Sequence, residues 1–455
     1  MAKILITLWQ NDIFDNSTKN LFCYYESLVK ELIKFGNQVF VVNKRFIAQD
    51  FWVPDIKYKG DLINQVKKFD PDLIIAFNNQ IFDGLLENTH CPVALFDADG
   101  ILMFSCRDMI KKYSNRYYMI SSYKNWESDY ENIGILKNRV FNIHTATAIH
   151  TEKKEKNTNI SFIGSKFDNK LSLNIKNYIK NSNLNIYSMK KEYWENNIYD
   201  YEMLLKKHCP DLDCSMFDAY NIFDNRNYIL TSVLDLGLKL YGKNWLSLND
   251  TNIDLMSAYD KTPVYSLKQN QDVYNSSKVN LSISHPQCKG YAYPWRCYDI
   301  MASSGLLICS YSKLLKDLTK KYVKIPMYQS PYEARELCKY ALSNPSWCED
   351  IILASNDFIE KYGRWEDNFK ILENIFNINL INCSINKEDE IVFYNPKQNV
   401  LEQKNISFSV KFKNIKYGIF LILMHLPILE NFFSTKFKTK IYGSIEKYRN
   451  KVIND

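Results

Sequence analysis

Short apolar runs separated by amphipathic stretches set the rhythm of the first third of the chain. Residues 3–9 (KILITLW), 38–42, 73–77, 93–96, 118–121 and 140–143 read as six strands. The first run is too short for a signal-peptide core and has no small-residue cleavage site, so it reads as a strand. A loop through Asn16 and Ser17 leads to a helix over about 23–35, which Gly36-Asn37 stops. Further helices are predicted over 60–68 and between 124 and 134. The fourth strand ends in Asp97-Ala98-Asp99-Gly100. Strand and helix in alternation predict a doubly wound α/β domain over residues 1–150.

From 151 to 159 the chain turns charged and polar (TEKKEKNTN), the composition of a linker. The pattern then restarts. A strand at 160–163 closes on Gly164-Ser165, and a helix over 170–180 follows. A mostly helical, aromatic-rich stretch covers 192–234, and a strand at 238–241 ends at Gly242. A short helix around 273–276 precedes strand 279–283, a polar loop, a helix over about 294–303 stopped by Gly305, and strand 306–309. Two amphipathic helices, 330–342 and 348–362, complete a second α/β domain over 159–376. The fold class is α/β, two tandem Rossmann-like domains with a cleft between them. At 455 residues the chain has room for both and for an extension, 377–455.

That extension changes the picture of charge. Residues 401–455 hold ten Lys/Arg against four Asp/Glu, so +6 of the net +7 lies there and the rest is nearly neutral. A neutral body argues against nucleic-acid binding. Residues 417–433 are strongly apolar but broken by Pro427 and Glu430, too short and interrupted to span a bilayer. Lys411, Lys413 and Lys416 flank one side, and Lys436, Lys438 and Lys440 the other. The pattern predicts an interfacial helix on an anionic membrane surface, or a helix packed back on the body. The 11 cysteines include no CxxC pair, as expected of reduced thiols in a cytoplasmic protein. His208, Cys209 and Cys214 lack a second half, and no metal site is assigned.

Candidate chemistry gathers between residues 278 and 310. Strand, loop, helix and strand in so short a span form a βαβ unit, whose ligands bind beyond the carboxyl ends of the strands. The loop carries Ser284, His285, Pro286, Lys289 and Gly290. Arg296, at the head of the helix, offers a two-pronged donor to a phosphate. Asp299, one turn on, can accept from a ribose diol. An ordinary βαβ with a surface Arg and Asp fits the same local pattern.

Four stretches in this order resemble the GT-B glycosyltransferases of the CgeB-like, group-1 type. They are Ser161-Phe162-Ile163-Gly164-Ser165, Leu240-Tyr241-Gly242-Lys243-Asn244-Trp245, the 279–305 block, and the helices closing on Tyr362-Gly363-Arg364. The resemblance covers most of 159–375. It implies a nucleotide-sugar donor, without a further cofactor, in the second domain and an acceptor in the first. Arg296 would then contact the diphosphate and Asp299 the ribose. Gly164 and Ser165 would admit the phosphates, Tyr241 and Gly242 would line the base pocket, and Lys289 would join the nucleotide-binding set. Retaining members often carry two Glu residues eight apart, where this chain has Tyr291 and Asp299, so the stereochemistry stays open. An inverting transfer needs a base, and Asp97 and Asp99 are candidates, Asp99 preferred beside Gly100. The pair reads equally as a helix-capping loop. His285 is a candidate donor to the leaving phosphate or a structural histidine; His144 is a weaker cleft candidate.

Three rivals remain open at this level. Asp97-Ala98-Asp99 also looks like the DxD metal site of the GT-A fold, which would leave the restart at residue 160 unexplained. Asp-Gly in the first domain with His-Pro in the second resembles CMP-sugar (sialyl- and Kdo-type) transferases. A non-catalytic glycan- or membrane-binding protein with a transferase fold is the third. The absence of a GxGxxG after the first strand argues against a dehydrogenase. The expectation is a metal-independent transferase, peripheral to the cytoplasmic membrane, that extends a glycan or lipid-linked acceptor in surface-polysaccharide synthesis.

Overall fold

The computed structural model describes residues 1–9, 21–43, 59–82, 84–122, 127–166, 173–182, 185–195, 201–212, 214–246, 253–382 and 391–393. The loop through Asn16 and Ser17, the start of the predicted 124–134 and 170–180 helices, and the 417–433 segment with its flanking lysines lie outside them. The strands are β1 (Lys3–Leu8), β2 (Gln38–Asn43), β3 (Leu73–Phe77), β4 (Val93–Phe96), β5 (Tyr117–Ser121), β6 (Val140–Asn142), β7 (Thr158–Ile163), β8 (Leu238–Tyr241), β9 (Ser277–Ser282), β10 (Leu306–Ser310), β11 (Met327–Tyr328) and β12 (Ile391–Phe393). They build two sheets, in the orders β12-β2-β1-β3-β4-β5-β6 and β11-β10-β9-β7-β8, with every pairing parallel. All residues of β3 and β4 are buried, as expected where helices cover both faces of a parallel sheet.

Strand order reverses between β1 and β3 in the first sheet and between β7 and β9 in the second. Crevices open at such switch points, beyond the strands' carboxyl ends. In the first sheet these ends carry Trp9 and Asn78; in the second, Gly164 and the loop at Ser284 and His285. Both switch points face the same cleft. Four helices, Leu173–Ser182, Ile186–Glu195, Tyr201–His208 and Met216–Phe223, lie between β7 and β8 around a separate small core that includes Ile175, Met189, Leu204 and Phe223.

Two features differ from the pattern along the chain. The polar segment before β7 is strapped down: Lys156 Nζ donates to the carbonyls of Ser304 (2.6 Å), Asn275 (2.9 Å) and Ser277 (3.1 Å). Burial pulls that ammonium down to about 8. Helix Trp365–Phe376, not foreseen as an element and lying within the range assigned to the second domain, packs on the first sheet. Trp365, Phe369 and Leu372 share a core with Ile4, Leu28 and Leu32, and Trp365 Nε1 donates to Ser27 Oγ at 2.6 Å. Its apolar stripe shows that one face is covered, but periodicity does not say by which sheet. The chain thus crosses between halves twice, side by side. Thr147 N–H donates to Gly363 C=O (2.9 Å), and Arg364 Nη1 to Ile149 C=O (2.6 Å).

The halves also meet through the first turn of helix Cys23–Lys34. Cys23 N–H donates to Tyr265 C=O (2.8 Å), and Leu267 N–H to Glu26 Oε2 (2.6 Å). Tyr24 stacks on Trp295 with centroids 3.6 Å apart. No helix among the described residues is long and apolar enough to cross a membrane.

Candidate active site

A cleft of about 1090 Å³ lies between the two sheets and draws its walls from both. Of the residues singled out in the sequence, Asp99, His285, Arg296, Asp299, Gly164, Ser165 and Gly242 line it. Asp97, Tyr241 and Lys289 do not.

On the second-domain side the floor is the turn after β7. Gly164 N–H donates to Tyr241 C=O and Lys166 N–H to Lys243 C=O, both at 2.9 Å, so the turn is laced to the one after β8. Gly242 has φ +120°, and a Cβ there would stand 2.6 Å from the Gly164 carbonyl oxygen. Only glycine fits so close a backbone crossing. Arg296 reaches the turn from helix Arg296–Met301, a six-residue element shorter than predicted. Its guanidinium lies 5.7 Å from the Phe162 ring centroid. A Cβ on Gly164 would come within 3.3 Å of its Nη1, which is buried and has no hydrogen-bond partner among the described residues.

A second guanidinium, not foreseen, sits beside it. Arg226 is buried, its guanidinium carbon lies 5.3 Å from the centroid of the same ring, and it donates through Nη1 to Ser165 C=O. Burial pulls its pKa down to about 10; Asp224 opposes the shift and Arg296 adds to it. Arg226 opens a helix after Asp224-Asn225, some sixty residues from the turn it serves, and no spacing in the sequence links the two.

His285 occupies the loop beyond β9. Its Nδ1 accepts from Gln287 N–H at 3.3 Å, and the Tyr220 ring meets it edge-on at 4.7 Å. Burial, then the charge of Arg226, pulls it down to about 4. The ring is therefore neutral near pH 7, and the Nδ1 contact assigns its proton to Nε2. It can donate a hydrogen bond; it is no base for a neutral-pH step.

Asp299 stands differently from the ribose contact that the resemblance implied. Its Oδ1 accepts from Thr147 Oγ1 (2.6 Å), and its Oδ2 from Cys23 Sγ (3.7 Å). The carboxylate bridges the halves, a placement visible only once the second domain is docked on the first. Burial pushes it up to about 6, against the bonds from Thr147 and Cys23 and the charge of Arg296.

Across the gap, the loop after β4 separates its two aspartates. Asp97 is buried: Tyr130 OH donates to Oδ2 (2.6 Å) and Gly100 N–H to Oδ1 (2.7 Å). Burial pushes it up to about 6, those two bonds pulling the other way. It holds the turn, does not line the cleft and has both oxygens taken, which counts against its candidacy as base. Asp99 lines the cleft, with Asn78 Nδ2 donating to its Oδ2 at 2.7 Å. Asn78 Oδ1 also accepts from the Ala98 and Asp99 N–H groups at 3.0 and 3.2 Å, so one residue aims the whole loop. Asn78 has φ +50°, a left-handed turn that Asn tolerates. The Asn78-Asn79-Gln80 run after a strand was its only signal in the sequence.

Tyr241 packs in the core with Tyr274 and Ile300 and does not line the cleft. Lys289 pairs with Glu202 at 3.1 Å on the surface. His144 is outside the cleft wall, its carbonyl accepting from Asn368 Nδ2 (2.9 Å). His208 Nε2 bonds Glu192 Oε2 at 2.7 Å, and no group of three His, Cys, Asp or Glu able to hold a metal occurs among the described residues.

Two parallel sheets in tandem, their switch points facing one cleft, define the GT-B class of fold. Residues 226–373, about a third of the chain, match the family model described as glycosyl transferase-like. No curated protein sequence matches it. Among solved structures it is similar to HepE of Anabaena, crystallised with UDP-glucose (10% identity, 83% of this chain and 100% of that one, TM-score 0.46). It is also similar to sucrose-phosphate synthase of Thermosynechococcus elongatus (10%, 82% and 98%, TM-score 0.49) and to a glycosyltransferase of Rickettsia africae (10%, 83% and 99%, TM-score 0.46).

Proposed function

We propose that the cleft binds a nucleotide sugar with its diphosphate on the Gly164–Ser165 turn, and that Asp99 takes the proton from an acceptor hydroxyl held against the first domain. The observation that carries this reading is Arg296 Nη1, a buried cationic donor without a partner among the described residues, set against a glycine in the cleft wall. Such a donor suits an anion, because a charged hydrogen bond there offsets desolvation already incurred. Arg226 adds a second positive charge, and the Nε2–H of His285 can donate to the departing phosphate. Asp99 is held by Asn78 while facing the cleft, the arrangement of an oriented general base. The sugar moves from phosphate oxygen to the acceptor oxygen, whose proton passes to Asp99.

The transfer needs no metal on this reading. A DxD ion would require both carboxylates, and those of Asp97 are occupied by Tyr130 and Gly100. The acceptor is a glycan or lipid-linked saccharide of surface-polysaccharide synthesis, and the basic residues 401–455 bring the enzyme to an anionic membrane surface on the cytoplasmic side. The test is sugar transfer from a panel of UDP, GDP, CMP and dTDP sugars to membrane glycolipid, with EDTA present. Wild type transfers from one of them, and Asp99→Asn binds the donor but turns over 10²- to 10⁴-fold more slowly, the usual worth of a general base. Transfer that EDTA abolishes, or an Asp99→Asn enzyme with full turnover, overturns the mechanism.

A further inference from the structure

The Gly164–Ser165 turn can seat an anion only if it shows donors to the cleft and hides its acceptors. A peptide carbonyl pointing at a phosphate repels it, and nothing in a Gly-Ser pair by itself decides which way the peptide units face. The structure contains a device that decides it. Trp245, fully buried beneath the turn, donates through Nε1 to Gly164 C=O at 2.8 Å. Arg226 donates through Nη1 to Ser165 C=O. Both carbonyl oxygens are thereby taken from the protein side. The N–H groups flanking the turn are also committed, Gly164 N–H to Tyr241 and Lys166 N–H to Lys243. That leaves the Ser165 N–H, its hydroxyl and Arg296 Nη1 as the donors of this wall without an acceptor among the described residues.

We infer that Trp245 and Arg226 are positioning residues for the diphosphate, each anchoring one carbonyl of the Gly164–Ser165 turn so that only donors face the cleft. Trp245 acts without touching the ligand. It closes the Leu240-to-Trp245 stretch, whose tyrosine packs in the core, and Gly242 of the same stretch lets its backbone approach the Gly164 carbonyl closely enough for the indole to reach it. The Phe162 ring supports the other anchor, with the two guanidinium carbons 5.3 and 5.7 Å from its centroid. Two neighbouring guanidiniums disfavour one another, and a doubly charged anion between the turn and Arg296 relieves that repulsion. The inference rests on the diphosphate reading above and adds what aims the turn.

The experiment is calorimetric titration of UDP, UMP and uridine, with GDP, CDP and dTDP in parallel, into wild type, Trp245→Phe and Arg226→Lys. Trp245→Phe keeps the buried ring and removes only the N–H; Arg226→Lys keeps the charge and removes the fork. Each variant is expected to bind the nucleoside diphosphate about tenfold more weakly, the weight of one hydrogen bond, with affinity for the bare nucleoside unchanged. A merely structural role would lower the melting temperature and weaken nucleoside and diphosphate alike, and that result overturns the inference. So does wild-type diphosphate affinity in both variants. A wild-type protein that binds none of the diphosphates is a different outcome, since it removes the diphosphate reading itself and the inference with it. Should Trp245→Phe fail to fold, Arg226→Lys decides alone.

Discussion

Replacing Asp299 by Asn removes a buried carboxylate that joins the two halves of the molecule, and the effect depends on pH in a defined direction. Burial raises its pKa from 3.8 to about 6. The folded protein therefore holds the proton more tightly than the unfolded chain. The stabilisation is complete below about pH 4, declines as pH rises toward 6, and is absent above that. A shift of roughly two units corresponds to about 3 kcal/mol, the cost of keeping the charge buried at neutral pH. An amide in the same place keeps an acceptor for Thr147 Oγ1 and carries no charge. Asp299→Asn should therefore match wild type near pH 4.5 and exceed it in stability by about 1–3 kcal/mol at pH 7.5, one weakened hydrogen bond offsetting part of the gain. Asp97 titrates in the same window and the same direction, so the variant flattens the wild-type decline by about half. Urea unfolding at four pH values from 4.5 to 8 reads this directly. A variant less stable than wild type at pH 7.5, or one with the same pH slope, refutes the reasoning. Uridine affinity in the same protein separates the bridging role from a ribose contact, since only a ribose ligand would lose it.

Gly242→Ala forces a Cβ to within 2.6 Å of the Gly164 carbonyl oxygen at φ +120°, and should cost about 2 kcal/mol or more in stability together with nucleotide affinity. Thermal unfolding and nucleotide titration check both; a variant normal in each contradicts the close crossing of the two turns. Removing residues after 405 should release the protein from vesicles containing phosphatidylserine while leaving nucleotide binding intact, and a truncated chain that still sediments with them contradicts the membrane role of the basic residues.

Much of the fold is legible along the chain because parallel strands announce themselves. The runs at 73–77 and 93–96 coincide with β3 and β4, and their complete burial is why they are apolar without alternation. The restart after the polar stretch marks the second sheet, and the 279–305 block is the βαβ unit it was predicted to be. Tertiary assignments are harder. Helix Trp365–Phe376 has the right period but returns to the first sheet, since an apolar stripe carries no address. Lys154 and Lys156 look like solvated linker charges, yet both are fastened to the second domain.

The site shows the same division. Arg296, Gly164, Ser165 and His285, which line the cleft, were singled out because their motifs are local, a strand end followed by a loop or helix. Arg226, Asn78 and Trp245 act on atoms 21 to 81 residues away, and nothing near them in the chain names the partner. Asp97 and Asp99 are indistinguishable as letters. The loop's geometry, with Asp97's two oxygens accepting from Tyr130 and Gly100 and Asp99's Oδ2 from Asn78, separates the turn-holder from the candidate base.

The central claim is an anion seat where the two switch points meet, and titration of nucleoside diphosphates into wild type and Arg296→Ala tests it most directly. Wild type is expected to bind at least one of UDP, GDP, CDP and dTDP, and Arg296→Ala to bind it roughly 10- to 150-fold more weakly, the loss of a charged hydrogen bond worth about 1.5–3 kcal/mol. Equal affinity in the two proteins would contradict the account.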